Sequence, residues 1–443
     1  MALLVAGALF MEILDATIIV PAIPAIADSF GVAPVDVNLA ISAYLVTVAV
    51  LIPASGWIAD RFGIRPVFLA SIVVFTIASV GCALSASLPM LVGMRVLQGV
   101  GGAMMVPVGR LAVLRYSAKS DLVRVIALLT WPALVAPVVA PVLGGAIATL
   151  GSWQWIFFVN IPIGLVGFLV ALKLIRGGPA PSTQPFDGRG LLLLGTGIAA
   201  ALIALEHIRV TGTDWTLVVS GVLAAVGLLG LGVWHLRRTA SPLVELAVLR
   251  VRTLRITVSG GSLYRMVITG VPFLLPLLFQ LEFGWSAFHA GLMVAALFIG
   301  NLTIKPITTP LMRRFGIKRV LLVNAVLSVG WFGVLALLQP QTPAAVIAAV
   351  LYVSGALRSI GFTAYNSLAF ADVDGADLTH ANTLNAAVQE LAGGLGIAVA
   401  ALLVTVLGSY PLAFVALGGL LTLTLVETLR LPGSAGAHVS GRR

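Results

Sequence analysis

Arg61-Phe62-Gly63-Ile64-Arg65 returns 253 residues later as Arg314-Phe315-Gly316-Ile317-Lys318. Each copy stands in a short basic turn between long apolar runs. A near-identical pentapeptide at equivalent places divides the chain into two related halves. Such repeats of apolar helices point to a transporter whose site lies between the halves at mid-membrane. A half of six helices needs fewer residues than the 253-residue offset, and the surplus fits two inserted helices.

Composition agrees. Of the 443 residues, 60% are apolar before the 47 Gly are counted, and only 9% are charged, against about 25% in a soluble domain. A soluble globule would lack a polar coat, a disordered chain needs high charge, and a nucleic-acid binder needs a basic face in water. Apolar runs of 18 residues or more exclude the alternation of a β-barrel. The predicted spans are 2–27, 37–59, 66–85, 90–113, 122–149, 155–175, 190–208, 215–236, 256–281, 287–311, 319–338, 343–370, 380–407 and 411–430. The expected fold is an all-α polytopic membrane protein with 14 transmembrane helices. It divides into a six-helix bundle (1–176), a linker with two extra helices (177–255), a second six-helix bundle (256–431) and a tail (432–443).

The net charge of +10 is read as topology. Of 26 Lys and Arg, 20 fall on one side and only Arg209 on the other, which places both termini in the cytoplasm. No cleavable signal peptide is expected, because Glu12 and Asp15 interrupt the first apolar run. The single Cys82 rules out an internal disulfide and a cysteine-based zinc site, and the five His sit near loops or helix ends, so no metal site is expected. No Lys follows a Gly, so the phosphate-cradling loop of a primary pump is absent. No convergent group of nucleophile and base suggests an enzyme.

Eight charges remain inside predicted helices: Glu12, Asp15, Arg95, Arg110, Arg265, Lys305, Arg358 and Glu390. Glu12 and Asp15 are one turn apart on one face. Burial and a like-charged neighbour suit a carboxyl that takes up and releases a proton; the structural alternative is a permanent ion pair. Arg110 reads as a boundary residue. Arg265, Lys305 and Arg358 leave a positive surplus over Glu390. They either compensate Glu12 and Asp15 across the interface between halves or bind an anionic or zwitterionic substrate. A structural Arg358–Glu390 pair is the plainer reading, and Lys305, bracketed by apolar residues and Pro306, leads the set.

The motifs carry a family resemblance. Gly56-Trp57-Ile58-Ala59-Asp60-Arg61-Phe62-Gly63-Ile64-Arg65 resembles the signature loop of the major facilitator superfamily. Arg95-Val96-Leu97-Gln98-Gly99-Val100-Gly101-Gly102-Ala103 resembles its fourth-helix motif, and Pro137 to Gly145 the fifth-helix antiporter motif. Trp153 to Gly164, with Leu14-Asp15-Ala16-Thr17 and Pro24, is similar to the fourteen-helix drug/proton antiporters of the EmrB/QacA type. The resemblance implies two six-helix bundles that rock about a central cavity and export small lipophilic or cationic compounds against protons. It also implies a bacterial inner-membrane location, a monomer, no cofactor beyond the proton, and no nucleic-acid partner. Export of an anionic metabolite is the alternative, favoured by the second-half cations. Asp15 and Glu12 are the candidates for proton coupling, and by resemblance Arg95 influences the protonation of a nearby acid; Gln98, Arg265, Lys305, Arg358 and Glu390 are the candidate cavity residues. Gly56, Asp60, Arg61, Gly63 and Arg65 form a conformational latch, and Pro141, Gly144 and Gly145 bend and pack the fifth helix. The departures are Glu12 and Glu390 where Gln is common, Val20 where Asn is usual, Ala140 in place of Gly, and Arg313 in place of the Asp of the second signature loop.

Overall fold

Gly63 and Gly316 take nearly the same backbone angles, φ +88° with ψ 148° and φ +82° with ψ 150°. Glycine adopts such values without the Cβ clash that other residues meet. In the computed structural model, which describes residues 2–116, 122–175, 185–207, 214–374 and 377–432, each of these turns joins two helices. Arg209, the linker stretch 176–184 and the tail beyond 432 lie outside the described residues.

The first half comprises α1 (Ala2–Ile18), α2 (Ile23–Phe30), α3 (Asn38–Phe62), α4 (Ile64–Ala83), α5 (Leu88–Tyr116), α6 (Leu122–Leu150), α7 (Trp155–Phe158) and α8 (Asn160–Leu174). Then come α9 (Gly188–Glu206) and α10 (Trp215–Leu236). The second half holds α11 (Arg252–Ile256), α12 (Ser262–Leu277), α13 (Ala287–Thr303), α14 (Lys305–Phe315), α15 (Ile317–Ala336), α16 (Ala344–Phe370), α17 (Leu378–Leu407) and α18 (Tyr410–Leu429).

Among the described residues, twelve helical stretches are long and apolar enough to cross a membrane, and α13 with α14 passes as a pair bent by 47°. The protein is therefore a multi-pass membrane protein of all-α architecture. Three boundaries depart from the sequence reading. The first span runs to Phe30 through a short 3-10 turn at Val20–Ala22, and Gly31 at φ +64° ends it. The ninth begins at Arg252, so Arg252 and Arg255 belong to its first turns rather than to the loop. The tenth is broken. Its counterpart α3 passes through Pro53 unbroken, whereas the break at Ile304 immediately precedes Lys305 and Pro306, and Pro306 stands 253 residues after Pro53.

The halves meet along two helix pairs, α3 with α17 and α6 with α13. At one end they close. Ser42 Oγ donates to the Gly394 carbonyl (3.3 Å), Gln280 Nε2 to the Pro21 carbonyl (3.0 Å), and the Phe288 amide to Thr149 Oγ1 (3.0 Å). Glycines make this seam close: a Cβ on Gly145 would run into the Ala287 carbonyl, and one on Gly291 into that of Pro141. Helices α9 and α10 are the least buried spans, as peripheral lipid-facing helices are. The apolar cluster of Val46, Leu202 and Ala398 makes α9 a bridge between α3 and α17.

Candidate functional site

The buried polar centre of the first half is built on Asp15. Asp15 and Arg95 are both fully buried, and an Arg95 guanidinium N–H donates to Asp15 Oδ2. Arg95 Nη1 also reaches Gln98 Oε1 at 2.7 Å, and Nε the Ala40 carbonyl at 3.4 Å. Gln98 Nε2 donates to Asp15 Oδ1 and to Ser79 Oγ, each at 2.8 Å, and Asn160 Nδ2 donates to Asp15 Oδ1 at 2.6 Å. The Tyr44 ring lies 4.3 Å below the guanidinium, a cation–π contact. Residues 95 and 98 share a face of α5, one turn apart, so one helix supplies both the cation and the amide. A carboxylate with a guanidinium and two amide donors is satisfied as an anion; removing one partner of such a pair costs about 3–5 kcal/mol.

This geometry places Gln98 in the Asp15 network, inside the first half, rather than beside the second-half cations. It also compensates Asp15 locally, through Arg95, and not across the interface. Asn160, Ser79 and Tyr44 were not singled out from the sequence. Asn160 lies within the Trp153–Gly164 stretch, and a polar residue in an apolar run was the signal available.

Glu12 stands apart from that network. One turn before Asp15, it has a buried carboxylate oxygen, Oε2, with no hydrogen-bond donor among the described residues. Glu390, Arg110 and Asp15 act on it electrostatically. Bare Gly102 on α5 leaves room there: an added Cβ would lie 3.0 Å from the Tyr44 hydroxyl and 3.5 Å from Glu12 Oε1. Arg110 on the same helix is exposed, as a boundary residue is.

In the second half Glu390 pairs with Arg265, at 3.7 Å, and not with Arg358. The same charges are present, but the helix faces join a different pair. Arg265 also lies over the Phe362 ring at 4.9 Å, and its Nε is buried without an acceptor. Arg358 donates from Nη1 to the Ile268 carbonyl at 3.2 Å and sits 5.6 Å from the Phe298 ring; among the described residues it pairs with no carboxylate. Tyr264 accepts from Asn324 Nδ2 (3.2 Å) and donates to the Leu357 carbonyl (3.1 Å), forming a second polar cluster built without a charged side chain. Lys305 is partly buried at the α13–α14 break, and no ion pair to it is found among the described residues.

The signature loop lies at the end opposite the seam. Arg65 Nη2 donates to the Leu172 carbonyl at 3.0 Å, which ties the loop to α8 within its own half. Arg61 is exposed, Asp60 is partly buried, and Gly56 faces open space. Pro141, Gly144 and Gly145 are buried. A Cβ on Gly144 would meet the Ile18 carbonyl of α1, whereas Gly145 and Pro141 face α13. The motif thus packs one helix closely against both halves.

Two halves that repeat the same glycine turn between apolar helices have the architecture of a membrane transporter. The sequence pattern of the Major Facilitator Superfamily matches residues 5–396 and, in a second match, 257–438. The chain belongs to that superfamily. It is 36% identical over 420 residues to the multidrug resistance protein MdtD of Escherichia fergusonii, covering 92% of this chain and 86% of the relative. The MdtD proteins of Shigella flexneri and Escherichia coli match equally, with the same coverage. Among solved structures, a D-xylose–proton symporter superposes with a TM-score of 0.68 at 16% identity, covering 98% of both chains. A POT family transporter in complex with 5-aminolevulinic acid gives 0.71 at 18%, covering 97% of this chain and 94% of that one. At these identities the superpositions establish the fold alone.

Proposed function

We propose that the protein is a proton-coupled exporter of small, lipophilic or cationic drug-like compounds, working by alternating access with no cofactor. The reading has fourteen spans: the twelve qualifying stretches, the bent α13–α14 pair, and α6 as the fifth span. Two six-helix bundles, 1–176 and 256–431, flank the inserted pair in 177–255. The protein acts as a monomer in the bacterial inner membrane with both termini cytoplasmic. On that orientation the glycine seam closes the outer end.

The observation that carries the reading is Glu12. Its buried, donor-less oxygen is costly as an anion, and Glu390 and Asp15 add like charge. A bound proton removes that cost. A cationic substrate arriving between Glu12 and Glu390 replaces the proton as the neutralising charge, so the two compete and exchange. Asp15 is the second carboxyl of the reading: it is reprotonated in the state in which a shift of α1 against α5 within the first half has drawn Arg95 away. The multidrug names of the relatives favour the same substrate class.

The test is pH-driven flux in proteoliposomes. Glu12→Gln is expected to abolish the proton-driven component, and Asp15→Asn to reduce it strongly. Coupling that persists unchanged in both variants removes the assignment.

One observation favours a second reading, export of an anionic metabolite. Arg358 has no carboxylate partner among the described residues, and Arg265 Nε has no acceptor. Arg265→Ala and Lys305→Ala separate the readings. Loss of organic-anion transport with cationic-dye transport intact supports the second.

A further inference from the structure

At the end of the bundle that carries the signature loops, the first turns of the ninth span and the last turn of α18 enclose an open pocket. It is lined by Arg252, Arg255, Ile256, Ser259, Glu427 and Arg430. Its volume, about 410 Å³, is in the range of small-ligand pockets, about 300–1,000 Å³. Three guanidinium groups face one carboxylate. Glu427 is engaged, accepting from Arg430 Nη1 at 2.8 Å and from Ser259 Oγ at 3.4 Å. Arg252 donates to the Arg430 carbonyl, and neighbouring Lys318 to the carbonyls of Leu429 and Leu431. These cations cap the C-terminal end of α18, where unpaired carbonyls and the helix dipole hold them. Arg255 is exposed, and its side chain has no partner among the described residues.

The pocket thus holds a cationic excess with unused guanidinium donors, and its depth is set. Arg252 opens one membrane span and Leu429 closes another, so it lies at the boundary between hydrocarbon and headgroups. Beside it, Leu423, Val426 and Leu429 stand exposed at three-residue intervals on α18, a stripe along which an acyl chain can lie. Arginine forks match phosphate oxygens, and basic pockets at this depth take anionic headgroups. We propose that this pocket binds the phosphate of an anionic phospholipid, with the acyl chains along α18. The site is separate from the transport reading and stands or falls independently of it.

Detergent-solubilised protein titrated with short-chain phosphatidylglycerol tests it, with phosphatidylcholine and inorganic phosphate as parallel probes. Binding of phosphatidylglycerol, little binding of phosphatidylcholine, and at least about tenfold weaker binding by Arg252→Gln/Arg255→Gln are expected. Glu427→Gln, which removes the one carboxylate, is expected to tighten binding severalfold, so a misfolded double variant does not leave the site undecided. Equal phosphatidylglycerol affinity in the wild type and in both variants overturns the site. Inorganic phosphate that competes at the same concentration as the lipid overturns the lipid assignment.

Discussion

In the first half the buried guanidinium of Arg95 meets the Asp15 carboxylate; in the second, that of Arg358 meets the Ile268 carbonyl and the Phe298 ring, with no carboxylate among the described residues. The 253-residue offset of the signature loops carries Asp15 onto Ile268 and Arg95 onto Ala348, so the second half repeats neither charge of the pair. The difference is one of charge compensation. The first half neutralises its cation internally and seals it at zero exposure. The second leaves its cations in surplus, with Glu390 shared by Arg265 alone. On the proposed function, the first half switches and the second recruits.

The largest expected effect comes from breaking the compensated side. Asp15→Ala leaves Arg95 buried and unpaired, at a cost of about 3–5 kcal/mol, read as a lowered melting temperature in detergent. Asp15→Asn with Arg95→Gln together recovers part of it; a double variant as unstable as the sum of the singles removes the pairing. The opposite change sharpens the other half. Ile268 and Arg358 line one cavity, so Ile268→Asp gives Arg358 an acid. It is expected to be tolerated better than in an Arg358→Met background, by about 0.5–3 kcal/mol of coupling.

A smaller effect tests the seam between the halves. Gly291→Ala drives a Cβ against the Pro141 carbonyl and is expected to cost the closed end about 1–3 kcal/mol. In a Cys82→Ser background, Ser42→Cys then reacts faster with a water-soluble maleimide. Unchanged labelling shows that the seam does not hold that end shut.

The smallest concerns a clasp outside both halves. Asp187 accepts from the amides of Gly190 (2.8 Å) and Leu243 (3.0 Å) and is bonded to His235 (2.7 Å). Burial alone would raise its carboxyl, but the Leu243 and Gly190 amides and His235 outweigh this and hold it below its ordinary value. The clasp therefore contributes fully above the unfolded carboxylate range, near about pH 4. That contribution is lost as the pH falls through the lower folded value. Asp187→Asn is expected to cost about 1 kcal/mol at neutral pH, a difference that shrinks in acid.

The membrane architecture was legible because it rests on composition and period, which local sequence carries. The scarcity of charge left eight candidates, and five of them make the polar contacts described: Asp15, Arg95, Arg265, Arg358 and Glu390. The pairing was not legible. Arg358 was the plainer partner for Glu390 on sequence, and the rotation of α12, α16 and α17 joins Arg265 to it instead. Asn160 lies 145 residues from Asp15, and only the packing of α8 beside α1 joins them. Gln98 was legible as Arg95's neighbour one turn on, but the direction of that shared face, toward Asp15, belongs to tertiary structure. The break at Lys305 was hidden because the matching Pro53 leaves α3 intact.

The glycine seam has a kinetic consequence. Where Gly145 faces Ala287 and Gly291 faces Pro141, main chain approaches main chain. The side chains bonded across the seam, Ser42, Thr149 and Gln280, each give up one hydrogen bond when it parts. The losses are many small dispersion contacts, about 0.1–0.2 kcal/mol per atom pair, and three hydrogen bonds. Such an interface yields gradually, without a single high crest to cross, and on the proposed function turnover is then paced by the ion and its cargo rather than by friction at the gate.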